Sequence, residues 1–313
     1  MLTLLSTPAL RGQAPLVTPD IPGVVAGGTP VTLVEEGLKS SEGPIAASDG
    51  SLLFTESSDN KIYRIDALDR MSVFYDAKHV DDPKGERWRM PALAMDISGR
   101  IFAARRAGSH IGIAIVFPPE DAKFVAETFE GKSFGAPNDM SMAKNGGIFF
   151  TDPGNNDDRR RSVFYVSPSG SVVRATAGLS RPNGIILSRD EKTLFVVDSD
   201  EEYVLMYDVQ PGGTVTNRRN FVRLQGVKRT ATGGVDSGID GLAIDNLGRL
   251  YAISHAGIEV FAADGAALGV IPVPVKAQNL AFAGADRKTL YILGRGNVYK
   301  VKMLAQGFTG RAK

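Results

Sequence analysis

From about residue 42 onward, short apolar runs recur along the chain in a fixed layout. An apolar strand-like run is followed by a Gly-, Asn- or Asp-bearing turn and a second apolar-aromatic run. A polar turn and a third, alternating run come next. The layout appears at residues 43–56 with 61–66, 92–104, 138–152 with 162–166, 183–198 with 203–208, 240–253 with 258–261, and 279–293 with 297–301. Alternation with a period of two is the signature of strands. The Ser/Asn/Asp-Gly pairs between first and second runs supply the positive φ that tight hairpins need. A spacing of roughly 40 to 60 residues is the period of four-stranded propeller blades. A two-domain α/β arrangement would need long amphipathic helices between the strands, and the sequence has none of convincing length.

The sixth unit lacks a fourth strand of its own, and residues 29–35 alternate well enough to provide it. That exchange pairs the two chain ends in one blade and leaves no open edge. The predicted fold is therefore all-β, a six-bladed β-propeller closed by an amino-terminal strand that completes the last blade. It runs as one domain over residues 29–313, behind an arm of residues 1–28.

Composition narrows the chemistry. The 313 residues carry 36 Lys+Arg against 35 Asp+Glu, a formal charge of +1 that gives no electrostatic basis for nucleic acid or an anionic membrane. The absence of cysteine excludes disulfides, thiolate metal sites and a cysteine nucleophile. There are three histidines, His79, His110 and His255, so a tri-histidine zinc site would need every one of them. Walker, Rossmann, Gly-x-Ser-x-Gly and zincin motifs are all missing. Residues 2–10 are weakly apolar, interrupted by Pro8 and too short to span a bilayer. The small residues ahead of Pro15 resemble a signal cleavage site, so a trimmed export signal stands beside a plain tail. The compartment is accordingly cytoplasmic, or periplasmic or secreted if the signal is real.

In a propeller the innermost strands line the central channel, so polar residues at their starts converge on the axis. Here they are Glu42, Asn138-Asp139, Asn183, Asp240 and Asn279. Each could serve only as a turn residue, but the carboxylates occur in some units and not others, which a repeated turn device would not do. Acids gathered without a partner would repel and be desolvated. A hard divalent cation relieves both penalties.

Glu42-Gly43-Pro44, Pro137-Asn138-Asp139, Pro182-Asn183-Gly184 and the run from Asp240-Gly241 to Asp245 come in the order seen in the gluconolactonase/regucalcin (senescence marker protein) family. The chain resembles that family over about residues 40–303. The resemblance implies a six-bladed propeller with one divalent cation on its axis, Ca²⁺ first and Mg²⁺, Mn²⁺ or Zn²⁺ as alternatives. It implies hydrolysis of sugar or related lactones, with Glu42, Asn183 and Asp240 as metal ligands, Asp240 also as general base, and Asn138 at the substrate end. The expected partner is a small-molecule lactone, with no nucleic acid or membrane, on a monomer or weak homo-oligomer.

One position departs from the family pattern. Ala136 stands two places before Asn138, where regucalcin-like members have an arginine that grips a sugar acid. Arg105 or Arg106, or residues 84–89, could replace it. Trp88, the only tryptophan, could stack on the substrate or anchor a loop. The departure keeps two alternatives open: a hydrolase of non-sugar lactones or esters, and a non-enzymatic calcium-binding propeller. The charged run 157–161 reads as a solvated turn and His255 as a hydrogen-bonded structural residue.

Overall fold

Each repeat folds as an antiparallel meander, because its apolar runs are strand-length and the turns between them are too short for a crossover. The computed structural model describes residues 15–56, 60–76, 88–107, 109–154 and 161–313, and the side chains of Trp88 and Ala107 are outside that description. Six four-stranded sheets result. Their innermost strands are Ser41–Ala46, Trp88–Met95, Met140–Met142, Pro182–Leu187, Leu242–Ile244 and Asn279–Ala283. Each touches the next around the ring, and the last returns to the first. The closing blade is completed by Thr32–Glu35, which pairs antiparallel with Asn297–Lys302, setting Thr32 opposite Lys300 and Leu33 opposite Tyr299. The predicted six-bladed propeller and its closure are both present.

The core lies between blades. Ile45, Leu53 and Ile62 of the first blade pack on Leu93, Ile101, Ala103 and Ala114 of the second. In the third blade Phe134 stands edge-on to Phe150 and Phe164, with centroids 5.1 Å from each. Residues 15–31, ahead of the closing strand, are sewn onto the last two blades. Ile21, Val24 and Val25 are buried in their shared core, and the amides of Leu304 and Ala305 donate to the Val24 carbonyl at 2.9 and 3.0 Å.

Three features went unforeseen. Two small hairpins, Thr128–Phe129 with Lys132–Ser133 and Lys228–Arg229 with Val235–Asp236, sit between blades. The third is a strap over residues 305–313. It crosses the far end of the channel, where the Phe308 amide donates to Ile244 and the Ala312 carbonyl accepts from the Ala46 amide at 2.9 Å. Ile244 and Ala46 end their innermost strands, so the strap closes the end opposite Glu42 and Asp240. The expected roles of residues 1–14, His79, residues 84–87 and residues 157–160 lie outside the described residues.

Candidate active site at the channel mouth

The residues at the starts of the innermost strands are set by a device that recurs in three blades. The second strand of the first blade ends on Glu56, whose carboxylate accepts the amides of Lys39 and Ser40 at 2.9 and 2.8 Å. Asp152 ends the corresponding strand of the third blade and accepts Gly135 and Ala136 at 2.8 and 2.7 Å. Asp198 does the same in the fourth, accepting Ser180 and Arg181 at 2.5 and 2.8 Å. In every case the clamped amides lie three and two places ahead of a channel residue: Glu42, Asn138 and Asn183 respectively. Charge-assisted bonds to paired amides are strong and directional, so each entering loop delivers its channel residue at a fixed height. These three acids were visible as the ends of the second runs, and their recurrence two turns away from a polar strand start was the unread signal.

Close approach of neighbouring strands does the rest. A Cβ at Gly184 would meet the Asp240 carbonyl at 2.2 Å, and one at Gly241 would meet Asn279 Oδ1 at 2.3 Å. The glycines after Asn183 and Asp240 therefore let adjacent blades touch at the hub, a role distinct from the hairpin turn. The Gly184 amide donates to the Asp240 carbonyl at 3.1 Å, tying the segments that carry Asn183 and Asp240 together directly.

Glu42 receives Gln278 Nε2 on Oε1 at 3.1 Å and Asn279 Nδ2 on Oε2 at 3.4 Å. Gln278 is itself fixed, because its side-chain oxygen accepts the Arg295 amide at 2.9 Å. Burial, outweighing the Asn279 hydrogen bond, pushes the Glu42 carboxyl up to about 7, with the Asp139 charge adding to the rise. Asp240 is pushed well above the ordinary carboxylate range by burial and then by the charges of Glu42 and Asp139. No hydrogen bond to its carboxylate is found among the described residues. Asp240 thus feels the charge of Glu42 across the hub, and both feel that of Asp139.

Asn183 presents oxygen to the channel for a definite reason. Its Nδ2 donates to Ser199 Oγ at 3.2 Å, and that hydroxyl donates onward to the Ile239 carbonyl at 3.2 Å. With its nitrogen committed outward, Oδ1 faces inward and accepts from Asn138 Nδ2. Asn138 and Asn183 are thus hydrogen-bonded to each other, and the charge of Glu42 reaches Asp240.

The donor set suits a hard cation: two destabilised carboxylates and an inward amide oxygen, with no sulfur or imidazole among them. Among the described residues no three His, Asp or Glu side chains assemble as a metal cluster. The third acid at the hub, Asp139, is engaged elsewhere, by Lys313.

The arginine expectation needs correction. Arg105 is 1% exposed, and its guanidinium lies 5.2 Å over the ring of Phe124, on the outermost strand of the second blade. Alternation along Ile101–Ala107 sends neighbouring side chains to opposite faces, and the inter-blade face took Arg105. Arg106 points the other way, and its Nη2 donates to the carbonyls of Ala136 and Pro137 at 2.9 and 2.8 Å. A guanidinium therefore stands beside position 136 after all, carried by the neighbouring blade. Burial and the charge of Arg89 bring Arg106 down to about 10. Trp88 opens the innermost strand of the second blade opposite Ala107. His255 Nε2 lies 3.0 Å from Asp236 Oδ1, ahead of Asp240, and holds that carboxyl below its ordinary value.

Comparison with known proteins fits this geometry. The family described as "SMP-30/Gluconolactonase/LRE-like region" matches residues 31–294. A gluconolactonase of Zymomonas mobilis is 29% identical over 312 residues, covering 93% of this chain and 86% of its own. A gluconolactonase structure from Xanthomonas campestris superposes with a TM-score of 0.77 at 23% identity, covering 94% of this chain and 96% of its own. A calcium-binding regucalcin structure from Agrobacterium tumefaciens superposes with a TM-score of 0.70 at 18% identity, covering 90% and 96%. At those identities the two structures speak for the fold.

Proposed function

The chain belongs to the SMP-30/gluconolactonase/LRE-like family, and from that membership and the hub geometry we propose that it is a lactonase. Similarity to the Zymomonas gluconolactonase over nearly the full chain supports lactone hydrolysis. The observation that carries the mechanism is the pair of partly hidden carboxyls, Glu42 and Asp240, both raised by burial and by the charge of Asp139, with Glu42 raising Asp240 further, around an inward amide oxygen.

Glu42, Asn183 and Asp240 would hold one divalent cation, Ca²⁺ first. When bound, such an ion supplies Lewis acidity toward a lactone carbonyl and its oxyanion. Asp240 accepts the proton of the attacking water, a role suited to a carboxylate that burial has made more basic than an ordinary one. Water oxygen bonds to the carbonyl carbon, the ring C–O bond breaks, and the proton passes to the departing alkoxide to give a hydroxy acid. Asn138, held against Asn183, aligns the carbonyl or the water by hydrogen bonding. Arg106, beside the Ala136 and Pro137 carbonyls, supplies the cation that position 136 lacks and favours substrates with an anionic or polyhydroxylated tail.

The test is pH-stat hydrolysis of D-glucono-δ-lactone and a panel of γ- and δ-lactones, before and after chelation and with Ca²⁺ restored. Turnover that disappears on chelation and returns with the ion supports the reading. Full turnover in chelator, or in an Asp240→Asn, Glu42→Gln double variant, rejects it.

A further inference from the structure

The hub contains a fourth charged group that no part of the lactonase reading uses. Lys313 extends from the strap into the channel, and its Nζ lies 2.7 Å from both carboxylate oxygens of Asp139. The pair is deeply buried, with side chains 6% and 4% exposed. Asp139 is fixed on its other side by the amides of Met140 and Ile185 at 2.9 and 3.3 Å, so it joins the third and fourth blades. The strap that carries Lys313 is anchored at several blades. The Ala46 amide donates to Ala312, while Arg311 donates to the Ser188 carbonyl at 2.6 Å and to Ser141 Oγ at 3.3 Å. The ammonium is therefore a built part of the hub, reached from the end opposite the substrate.

Its charge is felt by the candidate ligands, since Lys313 pulls both the Glu42 and the Asp240 carboxyl downward. Lys276, the other cation felt by Asp240, is exposed at the rim and screened by water. When ionised, Glu42, Asp139 and Asp240 bring three negative charges, and Lys313 returns one. Among these side chains the remainder is two, the charge of a single divalent ion.

We propose that Lys313, delivered by the carboxyl-terminal strap, is a specificity-determining residue of the metal centre: its ammonium occupies Asp139 and sets the hub charge so that one divalent cation is preferred over a trivalent ion. The inference rests on the metal reading above. Lys313 is a positioning and charge-setting residue that acts through Asp139.

Binding of Ca²⁺ alone and of Tb³⁺ alone, followed by calorimetry, tests it in the parent and four variants. In Lys313→Met the hub gains a net negative charge, and preference for Tb³⁺ over Ca²⁺ rises by about tenfold or more, as one extra charge a few ångströms away requires. Lys313→Arg keeps the original preference. In Asp139→Asn the hub loses a negative charge and both ions bind more weakly. In the double variant Lys313→Met, Asp139→Asn the charge of two is restored, and the Ca²⁺/Tb³⁺ ratio returns to within about threefold of the parent. A purely structural ion pair predicts instead that the double variant behaves like the damaged single ones. That result, or an unchanged ratio in Lys313→Met, overturns the proposal while leaving the metal reading intact. Failure of the parent protein to bind either ion overturns the metal reading and this proposal together.

Discussion

The carboxylate of Asp198 holds the backbone amide of Arg181 at 2.8 Å, two places ahead of the candidate ligand Asn183. Asp198 is itself 1% exposed and closes on the Ser180 amide as well. It makes no contact with the channel, yet it decides where Asn183 stands. Asp198→Ala leaves the part-buried amides of Ser180, Arg181 and Asp200 without this acceptor, which costs up to roughly 1–3 kcal/mol for a group that water cannot reach. The expected outcome is a lowered thermal midpoint together with weakened Ca²⁺ binding, read by calorimetry. Asp198→Asn, which keeps one acceptor, should fall between the parent and Ala. Unchanged ion affinity in a folded Ala variant would remove the clamp from the account of the site.

Arg106 offers a test of substrate class. Its Nη2 serves the Ala136 and Pro137 carbonyls, next to Asn138. Replacement by Met should lower kcat/KM on sugar lactones by about tenfold or more, as expected for loss of a charge-assisted contact. Apolar γ-lactones should be affected less. Arg105→Met, by contrast, alters a buried guanidinium over Phe124 and should reduce stability without changing the ratio between the two lactone classes.

Stability without metal should depend on pH with a definite sign. Glu42 has a folded pKa of about 7 against an ordinary 4.5, so the folded state holds the proton more tightly than the unfolded chain. Its favourable contribution is complete below about pH 4.5 and is lost as the pH rises through about 7. For this one group the loss is at most about 3 kcal/mol, and Asp240, shifted in the same direction, adds to it. Denaturant unfolding in chelator at a series of pH values should show this decline. Ca²⁺ should abolish it, and ion affinity should rise over the same window as protons are displaced.

The same acids predict opposite effects of neutralisation with and without the ion. Asp240 is raised by burial and by Glu42, and no hydrogen bond to it is found among the described residues. In chelator at pH 8, Asp240→Asn and Glu42→Gln should each raise the thermal midpoint, since they relieve a buried repulsion. Both should lose the stabilisation that Ca²⁺ gives the parent, and both should lose activity. A fall in the chelator midpoint for both variants would mean that the acids are already satisfied by protein groups.

The amino-terminal segment makes a prediction about the scaffold. Val24 and Val25 are fully buried against the last two blades, and the Val24 carbonyl receives the amides of Leu304 and Ala305. Val24→Ala should cost about 1–3 kcal/mol from lost burial and the resulting cavity. Urea unfolding with the slope held constant would measure it.

Alternation and repeat spacing by themselves determined the blades, because a strand exposes its period in a few residues and a repeat multiplies the signal. Thr32–Glu35 was legible as the closing strand for the same reason. Glu42, Asn138, Asn183 and Asp240 were legible because a repeated fold maps one sequence position in each unit onto one ring in space. Only the tertiary structure decided between Arg105 and Arg106, since neighbours on a strand face opposite ways and the register of the strand start was hidden in a polar loop. It also revealed the amide clamps of Glu56, Asp152 and Asp198: the acids recur in the sequence at the ends of the second runs, but the backbone amides they hold leave no mark there. The meeting of Lys313 with Asp139, 174 residues apart in the chain, belongs to the same class. A strap with no periodicity carries no local signature of where it ends. Only closure of the ring gives it a channel to enter.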